Sequence, residues 1–225
     1  MEAHGFRWGS RLARLRASHT YGYVLILIVT TYFVVVAAPD ENAPRALLIV
    51  IQSGTLATAL WTSGLARIRA ALVVLVVGAV GAVLQAAVGG ATLTGLLAFL
   101  DVVLLAATMV VIGLGVVDQG EINHQSVTGA ICIYVLIGIL FTFLYTAIAA
   151  LRPGAFFSQG TDGTPAIRIY FSYVTLATLG YGDYTPATQG GRSLAIAEAL
   201  LGQLYLVTVV ALLVGRLGMP ARRRT

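Results

Sequence analysis

Charged residues are scarce in this chain, and lysine is absent altogether. Only 10% of the 225 residues are charged and 58% are hydrophobic, whereas about 25% of an average soluble domain is charged. This balance excludes an ordinary soluble domain and predicts an integral membrane protein. The apolar residues come in runs of about 17 to 25, the length of a spanning helix. They do not alternate with polar residues, which excludes an outer-membrane β-barrel.

Cysteine is almost absent too, since Cys132 is the single one and falls inside an apolar run. It cannot form an intrachain disulfide, and nothing near it suggests a metal site, so we interpret it as a small buried hydrophobic residue. The net charge of +5 comes from arginines at the chain ends and in one loop. It therefore indicates membrane orientation and not nucleic-acid binding.

Six apolar runs predict an all-α membrane protein with six spans. They are Gly22–Ala38, Arg45–Leu65, Ala70–Val88, Leu93–Val117, Val127–Leu151 and Arg192–Leu217. With both termini in the cytoplasm, ten arginines lie inside and four outside, as the positive-inside rule requires in a plasma membrane. Residues 1–20 are interpreted as an amphipathic helix facing anionic cytoplasmic lipid, or alternatively as a disordered basic tail, and residues 218–225 as a basic cytoplasmic tail.

A glycine-containing motif lies between the fifth and sixth runs. The pattern Thr-x-x-Thr-x-Gly-x-Gly is met by Thr175, Thr178, Gly180 and Gly182. The segment Thr178-Leu179-Gly180-Tyr181-Gly182 resembles the selectivity filter of potassium channels, although Leu179 replaces the commoner valine. That resemblance implies K⁺ as the permeant ion, bound by the Thr178 hydroxyl and the carbonyls of Thr178, Leu179, Gly180 and Tyr181. A closed ring of such carbonyls needs four chains, so it also implies a homotetramer.

The residues before the motif predict a re-entrant pore helix over 165–177, followed by a filter over 178–183. Thr164 is a candidate N-cap, and Pro165 suits the first helical position. Such a helix directs the negative end of its dipole at the membrane centre. The resemblance assigns support of the filter to Thr175, Tyr170, Phe171, Val174 and Asp183. It pairs the Tyr170 hydroxyl with the Asp183 carboxylate, the alternative being a plain interfacial aromatic.

The sixth run, 192–217, is the predicted inner helix. The resemblance places a hinge glycine at Gly202, although a close helix contact would explain a glycine there equally well. Helical spacing puts Gln203, Leu206, Val210 and Val214 on one face, which we expect to line the ion cavity. Glu198 is expected either to contact the rear of the filter or to reach interfacial water.

The first four spans, 21–117, form a predicted sensor-like domain, joined by a cytoplasmic linker over 118–126 to a pore domain over 127–217. The fourth span has no basic residue, so weak or absent voltage dependence is expected. Asp101 in that span is a candidate functional acid, or a structural acid paired with Gln52 or Gln85. His124 is interpreted as a solvated linker histidine. Because the chain ends soon after Leu217, no regulation through a cytoplasmic ligand-binding domain is expected.

The predicted function is a potassium-selective channel that conducts K⁺ passively and needs no cofactor. Two alternatives stay open at this point. One is a less selective cation channel, and the other is a regulatory channel subunit that acts with a partner membrane protein. An enzyme is not expected, because no pair of acid, base or nucleophile recurs at helical spacing in the apolar runs.

Overall fold

The computed structural model describes residues 21–37, 39, 41–62, 68–118, 124–211 and 215, and within these ranges it contains helices and no strand. The described ranges contain seven α-helices and one π-helical turn. They are α1 Tyr21–Ala37, α2 Asn42–Thr62, α3 Ile68–Ala87, α4 Ala91–Asp118, α5 His124–Leu151, α6 Pro165–Leu176 and α7 Gln189–Tyr205, with the π-helical turn at Leu206–Val210.

Five stretches among the described residues are long and apolar enough to cross a membrane. They are Asn42–Trp61, Arg69–Ala87, Ala91–Val117, His124–Leu151 and Gln189–Val209. Helix α1 is also apolar but has only 17 residues. The predicted all-helical, multi-pass membrane fold is therefore confirmed.

Some predicted boundaries need correction. Helix α4 runs to Asp118 and α5 begins at His124, so the two helices include both ends of the predicted linker 118–126, while residues 119–123 lie outside the described residues. Helix α7 begins at Gln189 and not at 192, because Thr188 Oγ1 accepts a hydrogen bond from Gly191 N at 3.2 Å and caps the earlier start. The predicted segments 1–20 and 218–225 lie outside the described residues, as does the end of the predicted inner helix beyond Ala211, except for Gly215.

Helices α1 and α4 pack directly against the later helices α5 and α6 of the same chain. Helix α4 lies along α5, while α1 contacts both α5 and α6. The Tyr32 ring of α1 meets the Tyr173 ring of α6 edge-on, with 5.6 Å between centroids. At the other end of α1, Tyr21 N donates to Gln125 Oε1 at 3.1 Å. Cys132 is fully buried in this shared core, which confirms its interpretation as a hydrophobic residue.

Candidate ion-conducting site

The start of α6 is held by a side-chain cap and by a buried arginine. Thr164 Oγ1 accepts from Ile167 N at 3.3 Å, and Pro165 occupies the first turn, where its missing N–H leaves no bond unmade. Arg168 is buried and donates through Nη1 to the carbonyls of Asp162 and Gly163 at 3.1 and 2.7 Å. These bonds fix the direction in which the helix leaves the outer loop.

The chain after α6 has the backbone that a row of carbonyl ligands requires. Alternate residues have positive φ angles, 58° at Thr178, 55° at Gly180 and 79° at Gly182. At Gly180 and Gly182, an added Cβ would meet no atom of this chain within 4 Å. Glycine is therefore favoured at both by the left-handed conformation and not by lack of space. Thr178 adopts that conformation without being glycine, at a cost of about 1–2 kcal/mol.

The end of α6 positions this segment through backbone bonds. Leu179 N and Gly180 N both donate to the Val174 carbonyl, at 2.8 and 3.4 Å. Thr178 N donates to the Thr175 carbonyl at 2.9 Å. The filter segment, 178–183, therefore follows any displacement of the last turn of α6.

Aromatic and acidic side chains surround the outer end of the filter segment. The Tyr170 ring stacks on the Tyr181 ring with 6.4 Å between centroids. A hydrogen bond to the Asp183 carboxylate raises the pKa of the Tyr170 hydroxyl. The structure thus brings Tyr170 and Asp183 together. Phe171 and Val174 of α6 are buried, and Thr175 is half-buried.

Hydrogen bonds join the loop before α6 to the loop after the filter segment. Ser158 N donates to the Thr185 carbonyl and Ala187 N to the Phe156 carbonyl, both at 2.8 Å. Gln159 Nε2 donates to the Asp183 carbonyl at 2.7 Å. Sequence reasoning did not find this clamp, because the bonding atoms are mostly backbone groups that carry no sequence signal.

Gly202 lies where α7 touches the last residue of α6. A Cβ at this position would come within 2.5 Å of the Leu176 carbonyl oxygen. Of the two alternatives for Gly202, a hinge or a close helix contact, the structure shows the close helix contact. The departure from α-helical bonding comes later, at the π-helical turn Leu206–Val210, a feature that often marks functional positions in helices. Gln203 and Leu206 are exposed in the single chain, while the Val210 side chain and Val214 lie outside the described part.

Glu198 of α7 is fully buried where this helix meets α5 and α6. The Tyr145 hydroxyl of α5 donates to Glu198 Oε2 at 2.5 Å, and Ser172 Oγ of α6 lies 2.5 Å from Oε1. The alternative in which Glu198 reaches interfacial water therefore does not describe it, and its carboxyl group instead contacts side chains of α5 and α6. Its partners could not be identified from the sequence, because they lie on helices far away along the chain.

Asp101 is buried away from the filter, beside a cavity of about 30 Å³ that Arg45, Thr94 and Thr146 also line. Its Oδ1 has no hydrogen-bond partner within the described chain, and neither has the Gln52 amide. The Gln85 amide nitrogen donates to Asn42 and Thr94 instead. The predicted pairing of Asp101 with Gln52 or Gln85 is wrong. Each glutamine lies on another helix, so its direction depends on packing that the sequence does not reveal.

His124 is the first residue of α5, and its side chain is exposed. No group of three or more His, Cys, Asp or Glu side chains able to hold a metal ion occurs within the described ranges.

Comparison with known proteins covers this same region. The family described as "Ion channel" matches residues 153–218. Over 73 residues, the chain is 41% identical to "Two pore potassium channel c" of Oryza sativa subsp. japonica, covering 30% of this chain and 16% of that protein. It is 39% identical over 56 residues to "Probable potassium channel protein 2" of Methanocaldococcus jannaschii, covering 24% of this chain and 16% of the relative. This part of the chain is therefore similar to an ion channel domain and to proteins named as potassium channels.

A third relative is "Potassium channel, subfamily K, member 16" of Mus musculus. It is 35% identical over 80 residues, which are 32% of this chain and 27% of the mouse protein. The chain thus spans about a quarter or less of the length of these relatives. No solved structure matches it significantly.

Proposed function

We propose that this chain is the subunit of a homotetrameric, potassium-selective channel that conducts K⁺ passively across the plasma membrane. The main support for this proposal is the backbone conformation of residues 178–182. The backbone of Thr-Leu-Gly-Tyr-Gly alternates into the left-handed region at the end of a capped helix. Carbonyl oxygens exposed by such a backbone can replace the hydration shell of a permeating ion.

Exposure of the filter in the single chain supports a tetramer. The side chains of Leu179 and Tyr181 are 56% and 66% exposed. Irregular backbone at membrane depth is stable only where protein buries it or where it lines a water-filled space. The span Gln189–Val209 is only 11% buried inside the chain, against 56% for His124–Leu151. Three further copies around one axis would cover both the filter and this span.

The remaining elements are assigned roles by their position. Helix α6 is the proposed pore helix, α5 the outer helix and α7 the inner helix. Helix α1 is the proposed sixth span, since its 17 residues rise roughly 25 Å, close to the hydrocarbon thickness of about 30 Å. Both termini then lie in the cytoplasm.

Flux from liposomes tests this function. Purified protein reconstituted into K⁺-loaded vesicles should release K⁺ and retain Na⁺. Gly180→Ala, which places a Cβ on a residue with φ of 55°, should abolish the release while native mass spectrometry still finds four copies. Equal release of both ions would favour the less selective channel. No release alone, with altered currents on co-expression with another channel, would favour the regulatory subunit.

A further inference from the structure

Glu198 joins the inner helix to both of its neighbours behind the filter. Its carboxyl group contacts Tyr145 on α5 and Ser172 on α6, each at 2.5 Å. Ser172 Oγ also lies 2.7 Å from the Gly138 carbonyl oxygen of α5. Four oxygen-bearing groups are thus linked in one buried chain, in the order Tyr145, Glu198, Ser172 and Gly138.

The hydrogens available to this chain show which form of Glu198 fits it. Three short oxygen–oxygen contacts need three hydrogens between them, since two bare oxygens at these distances repel. The Tyr145 and Ser172 hydroxyls supply one hydrogen each, and the Gly138 carbonyl can only accept. The third hydrogen must come from the carboxyl group. Ser172 then donates to Gly138 and accepts from a neutral Glu198, which in turn accepts from Tyr145.

Within the described residues, no positively charged side chain is bonded to Glu198 to balance an ionised carboxylate. The groups bonded to Glu198 within the described chain are the two hydroxyls, and none is basic. The other titratable group facing it is the Tyr173 hydroxyl of α6, which donates to the Val135 carbonyl. Burial of an unpaired charge here would cost several kcal/mol.

The Glu198–Ser172 contact lies one helical turn before the end of α6. Glu198 and Gly202 are four residues apart on α7, as are Ser172 and Leu176 on α6, so each pair shares a helix face. Glu198 meets Ser172, and Gly202 meets Leu176. Leu176 is the last residue of α6. The two contacts together therefore fix the inner helix against the end of the helix that positions the filter.

We propose that Glu198 is a positioning residue that acts in its neutral form, and that its proton keeps the filter conducting. This role rests on the potassium channel function proposed above. Loss of the Glu198 proton leaves two hydrogens for the three oxygen–oxygen contacts. It also buries an unpaired negative charge. Helix α7 then separates from α6 at Ser172, the neighbouring Gly202–Leu176 contact loosens, and the filter stops conducting.

Three variants and an external pH series test the proposal. Glu198→Gln replaces the neutral acid by an amide that can donate to Ser172 and accept from Tyr145, so K⁺ flux should stay near the wild-type value. Glu198→Ala and Ser172→Ala should each lower the flux at least about tenfold. Wild-type flux should fall reversibly between neutral pH and about pH 9, below the ordinary tyrosine pKa of about 10. Flux through Glu198→Gln should not change.

The proposal is overturned if Glu198→Gln is as damaging as Glu198→Ala, or if the glutamine variant keeps the alkaline loss. Infrared difference spectroscopy measures the protonation of Glu198 directly. It requires neither a conducting protein nor an alanine variant that folds. At neutral pH, the wild-type protein should show a protonated carboxyl band that Glu198→Gln lacks, and its absence would also refute the proposal. A wild-type protein that shows the band but conducts no K⁺ would instead count against the channel function.

Discussion

Glycines in this chain serve two different physical needs. Gly180 and Gly182 have open space where a Cβ would stand but positive φ angles, whereas helical Gly202 has no room beside the Leu176 carbonyl. Sequence spacing cannot distinguish these needs, because one depends on backbone conformation and the other on a neighbouring helix.

Gly202→Ala should destabilise the pore and reduce K⁺ flux. Its Cβ would stand 2.5 Å from a backbone oxygen that cannot rotate away, and overpacking of this kind costs about 1–3 kcal/mol. Gly54→Ala is the matched control, since a Cβ there meets nothing within 4 Å in another apolar helix. Thermal unfolding and flux of both variants provide the measurement. Equal behaviour of the two would contradict the assigned contact.

Tyr170→Phe should speed filter inactivation at neutral pH, because it removes the hydrogen bond to Asp183. That bond raises the pKa of Tyr170 in the folded state. Its stabilisation is therefore complete below the unfolded tyrosine value of about 10 and is lost as the pH rises through the higher folded value. Currents recorded during long depolarisations measure the rate. If Tyr170→Phe inactivates like the wild type, the bond has no part in filter stability.

Among the helices, α6 is the one whose local sequence predicts its position best. Thr164 and Pro165 mark its start, and the filter motif marks its end. The bounds of α4, α5 and α7 were less predictable, because uniformly apolar stretches carry no signal where a helix stops. Contacts between helices, such as those of Glu198 and Asp101, depend on the rotation of each helix, and a run of apolar residues on all faces leaves that rotation undefined.

Thr164→Ala should lower the stability of the pore by about 1 kcal/mol, the usual effect of removing an N-cap hydroxyl. The Ile167 N–H would lose its side-chain acceptor. Thr164→Ser keeps the hydroxyl and should remain close to the wild type. Thermal unfolding of the purified protein compares the three. A serine variant as unstable as the alanine variant would show that the methyl group, and not the cap, matters.

The charge content of helix α4 determines how much voltage dependence we expect. Helix α4 spans Ala91–Asp118 without a basic residue, and it packs along α5. Each charge that crosses the membrane field contributes about 2.3 kcal/mol per 100 mV, and this helix carries no arginine to move. A shallow conductance–voltage curve is expected from the purified protein. A steep curve would require gating charges elsewhere in the chain.

In the structure as a whole, the parts proposed to contact an ion are exposed in the single chain. The filter segment and the span Gln189–Val209 are both exposed. The front helices, in contrast, complete their core with the outer helix and the pore helix of the same chain. Such packing favours a tetramer whose subunits keep their own front domains. The sequence motif predicts the need for partners, but only the packed structure shows which surfaces remain free for them.

The reversal potential in a planar bilayer is the most direct test of selective K⁺ conduction by this protein. Purified wild-type protein would be recorded with K⁺ on one side and Na⁺ on the other. We expect a single-channel current that reverses close to the K⁺ equilibrium potential. A current that reverses near zero, or that follows the Na⁺ gradient, would contradict it.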